Sequence, residues 1–276
     1  MGRHLVARLV AGGGQVRVLA RSAADLAGAE VVPGDVADVS SVATAMRGCA
    51  AAIHLVGIIR EQGDATFEKV HVEGTRAVIE ACGRAGVGRL LHMSALGARP
   101  NATSRYHRTK WEAEELVRAS DVAATVFRPS VMFGAGNSFL PLVRDLLDHG
   151  PVIPIIGDGQ SLLQPVWVED VVTCFAGALE RPDTAGHAYE LGGPDRLTFE
   201  QLVALVAEAE GIRKPTFHIP VAVMRAAASL GSRVMPDFPV TPDQLVMLLE
   251  DNACDDTTMR ETFGVEPASL RDHLRE

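Results

Sequence analysis

The chain has 276 residues, of which 47% are hydrophobic and 22% are charged, and this composition excludes a disordered chain, a collagen-like repeat and a disulfide scaffold. A net charge of −9 without a basic block argues against nucleic acid as a partner, because phosphate binding needs clustered lysine and arginine. No apolar run reaches the roughly 18 residues of a membrane span, so no transmembrane segment is predicted.

The cysteines and the N-terminus indicate the compartment. Four cysteines lie far apart in the sequence, so they predict neither a zinc site nor a redox pair and are typical of a reducing compartment. The nine histidines show no metal-ligand spacing. The first residues lack the long apolar core of a signal peptide. We therefore expect a cytoplasmic protein without a metal.

The first 130 residues alternate between helix and strand signals. In chain order the pattern predicts a helix at 3–11, strands at 15–20 and 30–33, a short helix at 42–46, a strand at 50–56, a helix at 66–85, a strand at 89–94, a helix at 106–119 and a strand at 124–128. Strands that alternate with crossover helices form a parallel sheet covered on both faces. The sequence therefore predicts an α/β fold with a doubly wound parallel sheet of Rossmann type.

After residue 130 the composition changes, and proline and glycine become frequent. Helices are predicted at 171–179, 199–209, 221–230 and 243–250. We therefore expect two parts: a dinucleotide-binding domain at 1–130 and a smaller, mostly helical lobe for a substrate or partner at 131–276. Residues 164–192 are expected to pack back on the first domain.

A tyrosine and a lysine four residues apart, Tyr106 and Lys110, open the helix that follows a candidate central strand. This spacing places both side chains on one helix face. An ammonium group near a phenol favours the phenolate, so we expect Lys110 to lower the pKa of Tyr106 into a range useful for acid–base chemistry. The alternative is a chance pairing.

These residues resemble the short-chain dehydrogenase/reductase superfamily, in which Tyr-x-x-x-Lys follows a strand that here ends in Ser94. The later runs 128–134 (RPSVMFG) and 166–171 (VWVEDV) resemble its extended and atypical branches. Together with the segment 106–112, the strings 55–59 (LVGII) and 71–75 (HVEGT) are most similar to an atypical, epimerase/dehydratase-like group. That group includes the nucleotide-binding accessory subunit of respiratory complex I.

The resemblance implies roles for three side chains. Tyr106 would donate or accept the proton, Lys110 would bind the nicotinamide ribose, and Ser94 is the nearest candidate for orienting a substrate carbonyl. Two positions depart from the family pattern. Ala95 stands where extended members often carry the catalytic hydroxyl, and His71 stands where many relatives carry asparagine. Both departures bear on catalysis and not on nucleotide binding.

The cofactor site is expected at the carboxyl ends of the strands. The strand predicted at 15–20 is followed by Arg21 and Ser22, at the place where NAD-preferring proteins carry an acidic residue. The arginine therefore favours the 2′-phosphate of NADP, and so NADP over NAD. A solvated surface arginine is the alternative, and Asp35 is equally a turn residue or an adenine contact. With Lys110, the full set of expected cofactor-binding residues is Gly2, Arg21, Ser22, Asp35, Val36, Val56, Gly57 and Pro129.

The phosphate-binding loop poses the main problem. A dinucleotide fold needs a strand, a glycine-rich turn and then a helix whose N-terminus faces the pyrophosphate. Gly2, at the start of the first predicted helix, resembles the third glycine of that motif, while the first strand and the other two glycines are absent. We therefore expect a sheet that lacks its first strand, and we interpret Met1 as a misassigned start.

The resemblance leaves three functions open. The first is an NADP(H)-dependent oxidoreductase or epimerase-type enzyme that acts on an apolar, lipid-like or quinone-like molecule, which the residues Phe133, Phe139, Leu140 and Trp167 favour unless they form core. The second is a non-catalytic NADPH-binding accessory or assembly protein, associated peripherally with a respiratory complex, a quinone-biosynthesis complex or the inner face of a membrane. The third is a redox sensor that binds NADP.

Overall fold

The computed structural model describes residues 1–22, 26, 28–136, 139–148, 150–234, 240–255 and 257–275. The N-terminal half contains α1 (Gly2–Ala11), β1 (Val16–Ala20), β2 (Ala29–Pro33), α2 (Val39–Met46), β3 (Ala51–His54), α3 (Gly74–Ala85), β4 (Arg89–Met93), α4 (Arg105–Arg118) and β5 (Ala123–Pro129). A π-helical segment, Glu68–Glu73, runs directly into α3. In the described part of the chain, no helix is long and apolar enough to cross a membrane.

The C-terminal half mixes short strands with helices. It contains β6 (Met132–Phe133), α5 (Phe139–Asp148), β7 (Ile153–Ile156), β8 (Leu162–Leu163), β9 (Val166–Trp167), α6 (Val168–Leu179), β10 (Ala188–Leu191), β11 (Leu197–Thr198), α7 (Phe199–Ala209), β12 (Thr216–Ile219), α8 (Val221–Val234), α9 (Pro242–Leu248), α10 (Thr257–Phe263) and α11 (Leu270–His273). Strands of two to four residues carry too little periodicity to be recognised, so the pattern predicted only helices here.

The predicted parallel sheet is confirmed, and it is divided. One sheet has four parallel strands in the order β10-β5-β4-β3, and a separate pair joins β1 to β2. β10 comes from the C-terminal half and pairs with β5, so residues 188–191 extend the sheet. Among the described residues, no strand lies between β1 and β3. Their facing edges instead border an open groove of about 1350 Å³.

Apolar side chains cover both faces of the four-stranded sheet. On one face, Phe127 of β5 stacks on Phe175 of α6 with ring centroids 4.2 Å apart. On the other face, Leu90 of β4 packs against Val78 of α3 and Val117 of α4. Full burial of such a side chain stabilises the fold by about 1.5–3 kcal/mol. The sheet therefore holds α3 and α4 on the same side, and α4 is the helix that begins with Tyr106.

Two predicted boundaries shift in a way that affects the site. The strand expected at 50–56 ends at His54, so Leu55, Val56 and Gly57 form the loop that leaves the sheet. The helix expected at 66–85 begins as the π-helical segment, which carries His71 beneath the N-terminus of α4. A π-helical turn inside a helix is rare and has no signal in the hydrophobic pattern.

Candidate functional site

Helix α4 positions the predicted tyrosine and lysine. Ser104 caps the helix, because its hydroxyl accepts a hydrogen bond from the N–H of His107 at 3.1 Å. Tyr106 lies in the first turn, and Lys110 lies one turn later on the same side. The cap fixes where the helix begins, and so it fixes which side of α4 carries the pair.

Lys110 is buried at the carboxyl end of β4. Its ammonium donates a hydrogen bond to the carbonyl oxygen of Met93 at 2.5 Å. Burial lowers the pKa of Lys110 to about 8, and the nearby Glu114 carboxylate opposes this shift. An ammonium held at this pKa is still largely protonated at neutral pH, so the site carries a buried positive charge.

Tyr106 lies in a cage of aromatic rings. Phe67, His71 and His107 approach it edge-on, with ring centroids 6.0, 5.5 and 5.2 Å from the phenol ring. Burial raises the pKa of Tyr106 to about 12. The expectation that Lys110 lowers this pKa is therefore wrong for the chain alone, because loss of hydration outweighs any charge effect. The phenol stays protonated throughout the physiological range.

Ser94 follows β4 and is 2% exposed. Its N–H donates to the carbonyl of Phe127 at 2.7 Å, while its hydroxyl has no partner among the described residues. A buried hydroxyl without a partner costs about 1–3 kcal/mol, so this group is available to a ligand oxygen or a water molecule. Ala95, the departure from the family pattern, is also buried and offers no polar group.

His71, the second departure, fixes the loop after β3. Its Nδ1 lies 2.9 Å from the hydroxyl of Thr109 on α4. The other ring nitrogen, Nε2, lies 3.1 Å from both the nitrogen and the carbonyl oxygen of Ile58, so it can accept from the one or donate to the other. Burial and the Lys110 charge lower the pKa of His71 to about 3, so the ring is neutral. In either tautomer the ring ties Ile58 to α4 through one side chain.

Two buried histidines lie behind this cluster and were not predicted as part of it. His54 of β3 and His92 of β4 are direct neighbours in the sheet, with ring centroids 5.2 Å apart. His54 bonds to the hydroxyl of Thr75 at 3.1 Å, while neither nitrogen of His92 has a partner among the described residues. Burial and Lys110 lower the pKa of His54 to about 3 and that of His92 well below its usual range. In the sequence, each of these histidines stands out only as a polar residue within an apolar strand.

The groove between β1 and β3 gathers most of the expected cofactor residues. Its lining includes Gly2, Arg21, Asp35, Val36, Val56 and Gly57. Ser22 lies just outside this lining and is exposed. Pro129 also lies outside it, buried in β5, where its carbonyl accepts the N–H of Leu96 at 3.0 Å. The structure therefore brings six of the nine expected positions together in the groove lining and leaves Ser22, Pro129 and Lys110 outside it.

Gly57 joins the groove to the cluster formed by His71 and Lys110. A Cβ placed on Gly57 would lie 3.6 Å from Nε2 of His71 and 3.8 Å from Nζ of Lys110. The bare backbone therefore leaves room for a ligand to reach the lysine. At the other end of the groove, the carboxylate of Asp35 accepts the N–H of Ala37 at 2.9 Å, as a turn residue does.

The apolar residues proposed for a substrate take part in the core of the lobe. Phe133 is fully buried, and Phe139, Leu140 and Trp167 pack partly buried against the same core. Trp167 also contacts the ring of His273, with centroids 4.9 Å apart. For Phe133 the interpretation as a substrate contact is therefore wrong, because no part of its side chain reaches an open surface.

Comparison with known proteins places this site in a family. The model of the NAD(P)H-binding family matches residues 1–137. A mitochondrial NADH dehydrogenase [ubiquinone] 1 alpha subcomplex subunit 9 from Arabidopsis thaliana is 31% identical over 273 residues, which cover 94% of this chain and 68% of that protein. A ceramide reductase from Caulobacter vibrioides is 33% identical over 188 residues, covering 66% of this chain and 58% of that protein.

Solved structures share the fold. A nucleoside-diphosphate-sugar epimerase from Staphylococcus aureus superposes with a TM-score of 0.80 at 17% identity and covers 100% of this chain and 96% of its own. A dTDP-glucose 4,6-dehydratase from Streptomyces venezuelae, solved with NAD bound, gives 0.73 at 20% identity over 99% of this chain and 91% of its own. The fold and the site define an NAD(P)H-binding protein of the short-chain dehydrogenase/reductase type.

Within that superfamily, the chain belongs to the atypical group that contains the nucleotide-binding accessory subunit of respiratory complex I. The resemblance inferred from the sequence motifs is thereby confirmed. The same match covers about two thirds of the Arabidopsis subunit, so activity, substrate and partners are separate questions.

Proposed function

We propose that the protein is an NADP(H)-dependent oxidoreductase that reduces a carbonyl group of an apolar, lipid-like molecule. The observation that carries this proposal is the continuity of the site. Lys110 lies next to Gly57 at the inner end of the groove, and His71 connects the Gly57 loop to the ring cage of Tyr106. A dinucleotide in the groove would thus end beside a proton-donating group.

The groove supports NADP over NAD. Arg21 lies at the end of β1, is exposed, and makes no ion pair with the described residues. A guanidinium can bind a phosphate through two parallel hydrogen bonds, which suits a ribose 2′-phosphate. Asp35, which also lines the groove, accepts the N–H of Ala37 within its own turn.

Each of these side chains has a role in the direction of carbonyl reduction. When bound, the reduced nicotinamide supplies a hydride to the carbonyl carbon. Tyr106, protonated because its pKa is raised to about 12, gives its proton to the carbonyl oxygen. The Lys110 ammonium stabilises the resulting phenolate, and the Ser94 hydroxyl, free of other partners in the described chain, can donate to the same oxygen. Solvent then returns a proton to Tyr106.

The apolar substrate class rests on the relatives and not on the lobe. One relative is named a ceramide reductase, and this name supports a long-chain carbonyl compound as the substrate here. The epimerase and dehydratase neighbours share only the fold, so nucleotide sugars gain no support from them.

A matched pair of tyrosine variants tests the proposal. The chain has two tyrosines, and Tyr189 lies in β10, away from α4. We expect Tyr106→Phe to lower NADPH-dependent reduction of a long-chain ketone such as 2-tridecanone by about 10²–10⁴-fold, with NADPH affinity within about two-fold of the wild type. Tyr189→Phe should keep both. Undiminished turnover of Tyr106→Phe would remove this tyrosine from the reaction.

A second function has its own support. Relatives in Arabidopsis thaliana and Rattus norvegicus are named as mitochondrial NADH dehydrogenase subunits, and Ala95 and His71 replace family groups tied to catalysis. The chain would then bind NADPH structurally as an accessory or assembly protein, at the inner face of a respiratory membrane. Co-fractionation of a tagged protein with the membrane NADH dehydrogenase, without ketone reduction by the purified chain, is the result that favours this function.

A further inference from the structure

We propose that Asp243, in helix α9 of the C-terminal half, is a positioning residue that holds Tyr106 in place through the backbone of α4. This inference rests on the proposed role of Tyr106. Asp243 is 137 residues from the tyrosine in sequence, and its carboxylate spans the first turn of α4. Oδ1 accepts the N–H of Arg105 at 2.6 Å, and Oδ2 accepts the N–H of Tyr106 at 3.0 Å.

The contact completes the N-terminus of the catalytic helix. The first N–H groups of a helix have no partner within it, and α4 satisfies three of them with side chains. Ser104 takes the N–H of His107, while Asp243 takes the two before it. The negative charge also interacts favourably with the positive end of the helix dipole. Without Asp243, two donors in the turn that carries Tyr106 would be left to water.

Helix α9 is well placed to hold this carboxylate still. Thr241 and Gln244 form a reciprocal capping box, so α9 begins at the same residue whether or not Asp243 is present. Leu245, two residues after Asp243, is 1% exposed and anchors the helix. Glu250, just past the end of α9, bonds to Arg99 at 2.9 Å and so forms a second, separate attachment to the first domain.

Movement of the first turn would disturb the ring cage. Tyr106 contacts the rings of Phe67, His71 and His107, of which only His107 is on α4. A shift of α4 would therefore move the phenol relative to Phe67 and His71 and admit water.

Charged and titratable groups surround this turn. Glu61 pairs with Arg105, and Glu250 lies 3.7 Å from Nδ1 of His107. The other such groups are Lys110, Asp243 and His71.

Nuclear magnetic resonance of the full chain labelled with [¹³Cζ]tyrosine tests the contact without any substrate. The chain gives two signals, and Tyr189→Phe assigns them. In the wild type, the Tyr106 signal should stay at its phenol position up to pH 11, because its pKa is about 12. In Asp243→Ala the signal should titrate within pH 8–11, toward the ordinary value of about 10.

Two conservative variants and one control separate positioning from general destabilisation. Asp243→Asn keeps one acceptor and should show a smaller shift, and Asp243→Glu should restore the wild-type signal. Asp195→Ala removes a carboxylate that accepts the N–H of Leu270 at the start of α11 rather than of α4, so its Tyr106 signal should match the wild type. A Tyr106 signal unchanged in Asp243→Ala, or shifted equally in Asp195→Ala, would overturn the proposal. NADPH affinity and ketone turnover, measured separately, report on the proposed function alone.

Discussion

The two ends of the site differ in how far the chain itself completes them. The catalytic end, around Tyr106 and Lys110, is buried and joined by hydrogen bonds that connect α4 to the π-helical segment, β4 and α9. The nucleotide end is an open groove between two strand edges, and its Arg21 and Asp35 side chains are exposed.

The difference shows which part of the chemistry is preorganised. At the catalytic end the protein fixes the Tyr106 phenol, the Lys110 ammonium and a neutral histidine before any ligand arrives. At the nucleotide end the groove offers backbone and several cationic side chains, Arg21 among them. The order of that end depends on the ligand that fills the groove. Substitutions should accordingly change stability at the first end and ligand affinity at the second.

The largest effect is expected at the far end of the catalytic helix. Glu114 is fully buried and bonds to both Arg128 of β5 and Arg118. Glu114→Ala should lower the free energy of unfolding by about 3 kcal/mol, because it leaves the partly buried Arg128 without its main partner. Glu115→Ala removes an exposed pair with the same Arg118 and should cost less than about 0.5 kcal/mol. Urea unfolding of both variants measures this difference in the free energy of unfolding. Equal losses would show that the buried Glu114 does not stabilise the position of α4.

Lys110 should destabilise the unliganded fold. Burial lowers its pKa from 10.5 to about 8. Below pH 8 both states carry the ammonium charge, but only the folded state holds it away from water. The contribution of Lys110 to stability should rise as the pH increases from 8 to 10.5, because the folded state loses this proton before the unfolded state does. Lys110→Met should gain about 2 kcal/mol at pH 7, after allowing about 1 kcal/mol for the lost bond to Met93, and this difference from the wild type should shrink toward pH 10. Thermal unfolding at pH 7 and pH 10 measures this, and a less stable variant at pH 7 would contradict it.

The nucleotide end should respond through affinity. Arg21→Ala should weaken NADPH binding about tenfold, near 1.4 kcal/mol, and leave NADH binding and the melting temperature unchanged. Arg8→Ala removes an exposed arginine of α1 that does not line the groove, so its affinities should match the wild type. Fluorescence titration with both nucleotides distinguishes these outcomes. Equal loss for NADH and NADPH would end the preference for the 2′-phosphate.

A small gain in stability is expected where the two ends meet. An alanine Cβ at Gly57 would make only ordinary contacts, at 3.6 Å and beyond, and the residue does not have a positive φ. Gly57→Ala should therefore raise the free energy of unfolding by about 0.5 kcal/mol, through a less flexible unfolded chain. The same methyl group fills the space beside Lys110 and should weaken NADPH binding. A variant that binds NADPH as well as the wild type would show that the ligand does not pass Gly57.

The sequence predicted the elements of the sheet because the structure of each is visible in its own residues. The apolar run from Leu90 to Met93 indicates a buried strand, and the pattern around Tyr106 indicates a helix. It also predicted the groove residues, since strand ends are visible as changes from apolar to glycine or charged residues. It failed on the pKa of Tyr106, which depends on the rings of Phe67 and His71 that only the fold brings near. Asp243 had no signal at all, because its contact spans 137 residues and joins two parts of the chain.

The most direct test of this account is amide hydrogen exchange of the chain with and without NADPH. The nucleotide end should exchange quickly without ligand and become protected with it, at 2–5, 19–22, 34–37 and 55–58. The catalytic end, at 88–94 and 104–112, should exchange slowly in both states. Protection that appears mainly at 104–112, or none in the groove at saturating NADPH, would contradict a preorganised catalytic end beside an open nucleotide groove.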